Sequence, residues 1–216
     1  MYSSGAAKLK PKGKRKTQDP CEVCFLHRSL CICEFIPMLT LNTRVSLIIH
    51  AKELKRTTNT GTLAVKALTN SELFVRGKLN DPVDLSKMLN ADYQHLMFYP
   101  SDDAIELTKT FVDTLRRPIN LIVPDGNWRQ ASKVHYRHPE MQHIQRIKIT
   151  SQNQAIQHLR AESTDYGMAT LQAIAYALGF FEGAQVEEEL LNLYNIKLER
   201  TLKGRGVPIT NKFTEA

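Results

Sequence analysis

The sequence predicts an α/β protein, a mostly parallel sheet flanked by helices, and three observations carry that prediction. Short apolar runs rich in β-branched or aromatic residues recur along the chain and end at turn formers or polar residues. Their apolar character is nearly continuous instead of alternating, the pattern of strands covered on both faces. Between them lie stretches with apolar residues at three- and four-residue spacing, as crossover helices require. A length of 216 residues suits one principal core with decorated ends. With 42% hydrophobic and 24% charged residues the composition is that of a folded soluble protein. No apolar run approaches the roughly 18 residues of a spanning helix, and residues 1–20 hold no stretch like a signal peptide's, so a cytoplasmic protein without membrane contact is expected.

Residues 1–19 read as a disordered basic tail. Lys8, Lys10, Lys12, Lys14, Arg15 and Lys16 against Asp19 account for +5 of the net charge of +7. Such a segment cannot bury enough apolar surface to fold and suits a polyanion through sequence-blind phosphate neutralisation. A merely solvated end is the other reading. Next comes "CEVCFLHRSLCIC", which holds all four cysteines: Cys21, Cys24, Cys31 and Cys33. Two tight pairs across a short loop can offer four thiolates to one tetrahedral ion, zinc in the main reading and an iron–sulfur cluster in the minor one. Four filled positions leave none for substrate, so residues 20–36 are expected to form a structural metal module. Disulfides are not expected in the cytoplasm.

The remaining elements follow in order. "RVSLIIH" (44–50), "ELFVRG" (72–77), "HLMFYP" (95–100), "INLIVP" (119–124) and "QRIKIT" (145–150) are the expected strands. "TGTLAVKALTN" (60–70), "DDAIELTKTFVDTLRR" (102–117, stopping before Pro118) and "NWRQASKVHYR" (127–137) are the expected helices between them. Residues 167–183 and 184–204 read as two closing amphipathic helices, the first ending near Gly183, with a flexible tail over 205–216.

In open α/β sheets ligands bind beyond the carboxyl ends of the strands, so Asp125 and Trp128 in "LIVPDGNWR" stand where a site is expected. Gly126 permits close backbone approach, and Arg129, Lys133 and Arg137 at four-residue spacing set a cationic stripe beside it. The competing reading makes Asp125 and Asn127 a turn and helix cap and Trp128 core. Further polar clusters follow other elements: His50, Glu53, Arg56, Thr57, Thr58, Asn59 and Thr60 after the first strand, "YPSDDA" after the third, and "STDYGMAT" before the 167–183 helix. Four polar loops at element ends fit a cofactor pocket.

Together these signals resemble the DTW-domain family, the tRNA-uridine aminocarboxypropyltransferases. The resemblance rests on the four cysteines, on "IIHAKELKRTTNTG", on Tyr99 and Pro100, on "PDGNWRQA" for the family's Asp-x-Thr-Trp motif, and on "MATLQAIAYAL"; it spans roughly residues 20–185. Asn127 stands for the motif's threonine, Gln172 for a usual glutamate and Ala51 for a common proline. Without its carboxylate, Gln172 is assigned no proton-transfer role. The resemblance implies a SPOUT-like fold with a C-terminal trefoil knot and a catalytic domain over residues 37–204. It also implies S-adenosylmethionine as cofactor and transfer of its 3-amino-3-carboxypropyl group to N3 of a tRNA uridine, releasing methylthioadenosine. Asp125 and Trp128 are then the catalytic candidates, and Asn59, Thr60, Tyr99, Pro100, Gly126, Met168, Ala169 and Thr170 the cofactor-binding ones. Arg56, Arg129, Lys133 and Arg137 are expected on RNA phosphates. The alternatives are a SPOUT-type RNA methyltransferase and a zinc-dependent RNA-binding protein without catalysis; monomer and homodimer are both open.

Overall fold

The computed structural model describes residues 17–208 apart from 79, 81, 117, 127, 151–158 and 160–167. Six strands, β1 (Arg44–His50), β2 (Glu72–Arg76), β3 (Gln94–Phe98), β4 (Ile105–Glu106), β5 (Ile119–Asp125) and β6 (Gln145–Lys148), pair side by side in the order β2-β1-β5-β3-β6-β4. Every pairing is parallel. β1 and β5 lie inside the sheet, and their runs "VSLII" and "INLIV" are buried without interruption.

Among the described residues five α-helices accompany the sheet: α1 (Gly61–Ala67), α2 (Lys109–Val112), α3 (Trp128–Arg137), α4 (Thr170–Glu182) and α5 (Ala184–Gly204). Because side chains alternate along a strand, each strand feeds two cores. Leu47, Leu96, Leu121 and Val123 meet Leu63 and Ala64 of α1, Leu171, Ile174 and Leu178 of α4, and Leu190, Leu193 and Leu198 of α5. Ile48, Phe74, Met97 and Ile122 point the other way, to Val134 of α3 and to Leu85 and Met88 of the connection between β2 and β3. Each fully buried Leu or Ile in these layers contributes about 1.5–3 kcal/mol, so the two-faced strands hold the sandwich from both sides.

The expected helix over 102–117 is a correction. The chain there forms β4, which pairs with β6, and only then the four residues of α2. Ala104, Leu107, Phe111 and Leu115 keep a helical spacing, but Leu107 N–H is drawn to Lys148 O at 2.8 Å and Thr108, extended, caps α2 by accepting from Phe111 N–H at 3.2 Å. A sheet edge took the donors that a longer helix would have used. At the far end Gly183, with φ of 101°, separates α4 from α5 as expected. Helix α5 ends at Gly204 as expected, and Gly206, with φ of 68°, closes its last turn: its own N–H reaches Lys203 O and Val207 N–H reaches Leu202 O, a Schellman cap.

Among the described residues no helix is long and apolar enough to cross a membrane. Most of the basic tail, the end of the C-terminal tail and almost all of residues 151–167 lie outside the described residues.

Candidate active site

β1 runs into α1 on one face of the sheet, and its neighbour β5 runs into α3 on the other. Their carboxyl ends therefore part, and this is the switch point at which a parallel sheet opens a crevice. Asp125, the last residue of β5, lies there in register with Ile49 and is 7% exposed. Asn59 Nδ2 donates to its Oδ2 at 2.6 Å and Thr170 Oγ1 donates to its Oδ1 at 2.7 Å. Asn59 is itself fixed, its Oδ1 accepting from Thr62 N–H at 3.1 Å and Thr62 Oγ1 at 3.0 Å, which satisfies a first-turn donor of α1. Thr60 Oγ1 accepts from Leu171 N–H at 3.1 Å and does the same for α4. One buried carboxylate thus ties together the end of β5, the entry to α1 and the N-terminus of α4, whose partial positive charge faces it.

Gly61 makes this closeness possible. A Cβ there would stand 2.9 Å from Asp125 Oδ2 and 3.0 Å from Leu47 Cδ2, with core on one side and the carboxylate on the other. Gly61→Ala is expected to cost about 1–3 kcal/mol in urea unfolding. The cost should shrink when Asp125 is also truncated to Ala, since the two changes share a contact.

Around this centre Ala169 is the extended residue that opens α4, Met168 is half-buried just before it, and Gly126, at φ of 151°, takes β5 into α3 with no Cβ against Gln130. The backbone of Trp128 begins α3, while its side chain and Asn127 lie outside the described residues.

A second constellation lies on the α4–α5 side. The four cysteine sulfurs all fall within 4.8 Å of one another, with Cys21–Cys33 at 3.5 Å, Cys21–Cys31 at 3.6 Å and Cys24–Cys31 at 3.9 Å. Tetrahedral Zn–S bonds of about 2.3 Å set sulfurs about 3.8 Å apart, so the donor set fits one ion. The Cys24 backbone N–H helps hold the Cys21 pKa down at about 6, which favours the thiolate that binds metal, while burial pushes that of Cys33 up. Beneath them Lys197 is fully buried on α5, donating from Nζ to Cys24 O at 2.6 Å. Burial pushes its ammonium down to about 8 against the pull of the four sulfurs. In the sequence it is one lysine on an apolar helical stripe, and nothing local marks it.

The DTW-domain model matches residues 18–202, from just before the first cysteine to the end of the buried stripe of α5. The chain belongs to the DTW-domain family. Among relatives, it is 24% identical over 188 residues to tRNA-uridine aminocarboxypropyltransferase 2 of Macaca fascicularis, covering 84% of this chain and 62% of that protein. The protein of the same name in Drosophila melanogaster is 25% identical over 172 residues, covering 76% and 67%, and that in Mus musculus 24% over 187 residues, covering 84% and 62%. The chain thus spans about two thirds or less of these relatives. Among solved structures, the SAM-dependent rRNA:acp-transferase Tsr3 from Vulcanisaeta distributa aligns with a TM-score of 0.49 at 17% identity, over 77% of this chain and 80% of that one, a likeness too loose to bear on the site.

For a DTW domain, the expected cofactor and RNA residues divide unevenly. Asn59, Thr60, Gly126 and Thr170, with Met168 and Ala169 behind them, gather at the Asp125 crevice. Tyr99 does not: it packs with the α3-side cluster, where burial raises its pKa and Tyr136 adds to the effect, and Pro100 follows it. Gln172 is buried in the first turn of α4. Arg56 is paired at 2.9 Å with Glu53, itself 1% exposed. Arg129, Lys133 and Arg137 share the sheet edge with Asp125 but line a cavity on the α3 face, whereas the carboxylate, two residues on from Val123, belongs to the α1 face.

Proposed function

We propose that this chain transfers the 3-amino-3-carboxypropyl group of S-adenosylmethionine to N3 of a uridine in tRNA and releases methylthioadenosine. Membership of the DTW-domain family is the observation that carries the reading. The names of the macaque, fly and mouse relatives support its chemistry.

The donor set at the crevice fits such a cofactor. A buried carboxylate at a switch point suits a molecule with a sulfonium and an ammonium, and Asn59, Thr60, Gly126, Met168, Ala169 and Thr170 are the residues that would hold it, whereas Tyr99 is turned to the α3 face. When bound, S-adenosylmethionine supplies a sulfonium with an electrophilic γ-carbon. The chain's part is orientation and proton removal. Uridine N3 carries a weakly acidic proton and is normally paired, so the target base has to be unpaired or extruded. Asp125 accepts that proton: the bonds from Asn59 and Thr170 fix the plane of its carboxylate at the crevice. Trp128 is assigned the wall of the base pocket, Arg56, Arg129, Lys133 and Arg137 the RNA phosphates, and a structural zinc ion the four cysteines.

The coproduct tests the reaction type. Incubation with S-adenosylmethionine and unmodified tRNA should release methylthioadenosine; S-adenosylhomocysteine would show methyl transfer and sink the proposal.

A further inference from the structure

The cavity on the α3 face has a composition that the transfer reaction alone does not call for. It measures about 400 Å³ and is lined by His50 at the end of β1, Arg76 and Gly77 at the end of β2, Lys78, and Arg129, Lys133, Arg137 and His138 from α3 and its exit. Among the described residues that line it, none is acidic. Arg76 is 7% exposed, yet it forms no ion pair among the described residues. One guanidinium nitrogen donates to the backbone oxygen of Gln130, while its Nε is buried with no hydrogen-bond partner. Burial, and then Arg137, lowers its pKa, and burial, followed by Arg76 and Lys52, lowers that of His50.

A guanidinium buried without a counter-charge, beside Lys133 and Arg137, destabilises a fold unless an anion completes it. The backbone is shaped for this closeness: Gly77, at φ of 80°, would drive a Cβ to 2.5 Å from His50 Nε2. Planar guanidinium donors are matched to phosphate oxygens. The geometry points to a phosphate-binding pocket, anchored by buried Arg76 and closed by Lys133, Arg137 and His50, that seats one phosphodiester of the RNA substrate across the sheet edge from Asp125. This rests on the reading of the chain as an RNA-modifying enzyme. It adds a defined seat to the sequence-blind attraction of the tail, one that would fix where the strand crosses the edge and so which base reaches the crevice.

The test uses the full chain with unmodified tRNA and, separately, inorganic phosphate. Lys133→Ala/Arg137→Ala, at half-exposed and exposed positions, should weaken tRNA binding by about tenfold and flatten the slope of log affinity against log salt by about one, the share of one phosphate. Arg76→Met should match that loss. It should also keep or raise the melting temperature in phosphate-free buffer, because it removes an uncompensated buried cation, and should abolish any stabilisation by inorganic phosphate. If both variants bind tRNA like the wild type, the proposal is overturned. If they lose phosphate stabilisation but not tRNA affinity, the pocket takes a small free anion and the RNA assignment is overturned. Product formation separates the two readings: pocket-dependent tRNA binding without aminocarboxypropyl-uridine would retire the transferase reading alone, and product with pocket-independent binding would retire the pocket alone.

Discussion

Asp125→Asn is expected to lower kcat for aminocarboxypropyl-uridine formation by at least about a hundredfold, the scale of losing a positioned general base. The replacement is nearly isosteric and can keep both neighbours: its carbonyl accepts from Asn59 Nδ2, and its amide donates to Thr170 Oγ1, whose hydroxyl turns to accept. Unfolding stability should therefore fall by only about 1 kcal/mol. Isothermal titration with S-adenosylmethionine decides what the carboxylate does. An affinity within about threefold of wild type alongside the lost kcat supports proton removal. A large loss of affinity with kcat retained at saturation would make Asp125 a cofactor ligand.

Metal removal should have the largest effect on stability. Cys24, Leu26 and Ile32 of the cysteine module belong to the same core as Leu193 and Leu198 of α5, so the module is a wall of the main core. Without the metal-bound thiolates, the buried ammonium of Lys197 keeps the Cys24 carbonyl but loses most of the negative charge around it. Chelation or Cys24→Ser should drop the metal content from one ion per chain toward none. A loss of only about 4 kcal/mol would lower the melting temperature by roughly 8–16 °C in a chain of this size. Stoichiometric metal whose removal leaves melting unchanged would rule out a structural role.

Five of the six strands were legible, β1 and β5 most plainly, because being covered on both faces leaves an unmistakable apolar run. The same property hid the direction of individual side chains. In "HLMFYP" both parities are apolar, so nothing in the string says that Leu96 and Phe98 share a core with α4 while Met97 and Tyr99 face α3. Helical spacing misled at 102–117 because Leu107 and Phe111 satisfy it while the backbone answers to β6. The cysteine cluster declares itself through spacing and residue type. Arg76 does not: a single arginine ending a strand reads as solvated, and its burial comes from a helix more than fifty residues later in the chain. Gly61 was visible only as part of a motif, and its reason, an oxygen of Asp125 in the space of its missing methyl, exists only in the fold.

Mass spectrometry of the nucleosides from unmodified tRNA, incubated with the full chain and S-adenosylmethionine, tests the central claim most directly. The account predicts a uridine heavier by one aminocarboxypropyl group, with the added group on N3, and none of it in the Asp125→Asn sample. A methylated nucleoside, or unmodified tRNA alone from a protein that binds both tRNA and S-adenosylmethionine, would contradict it.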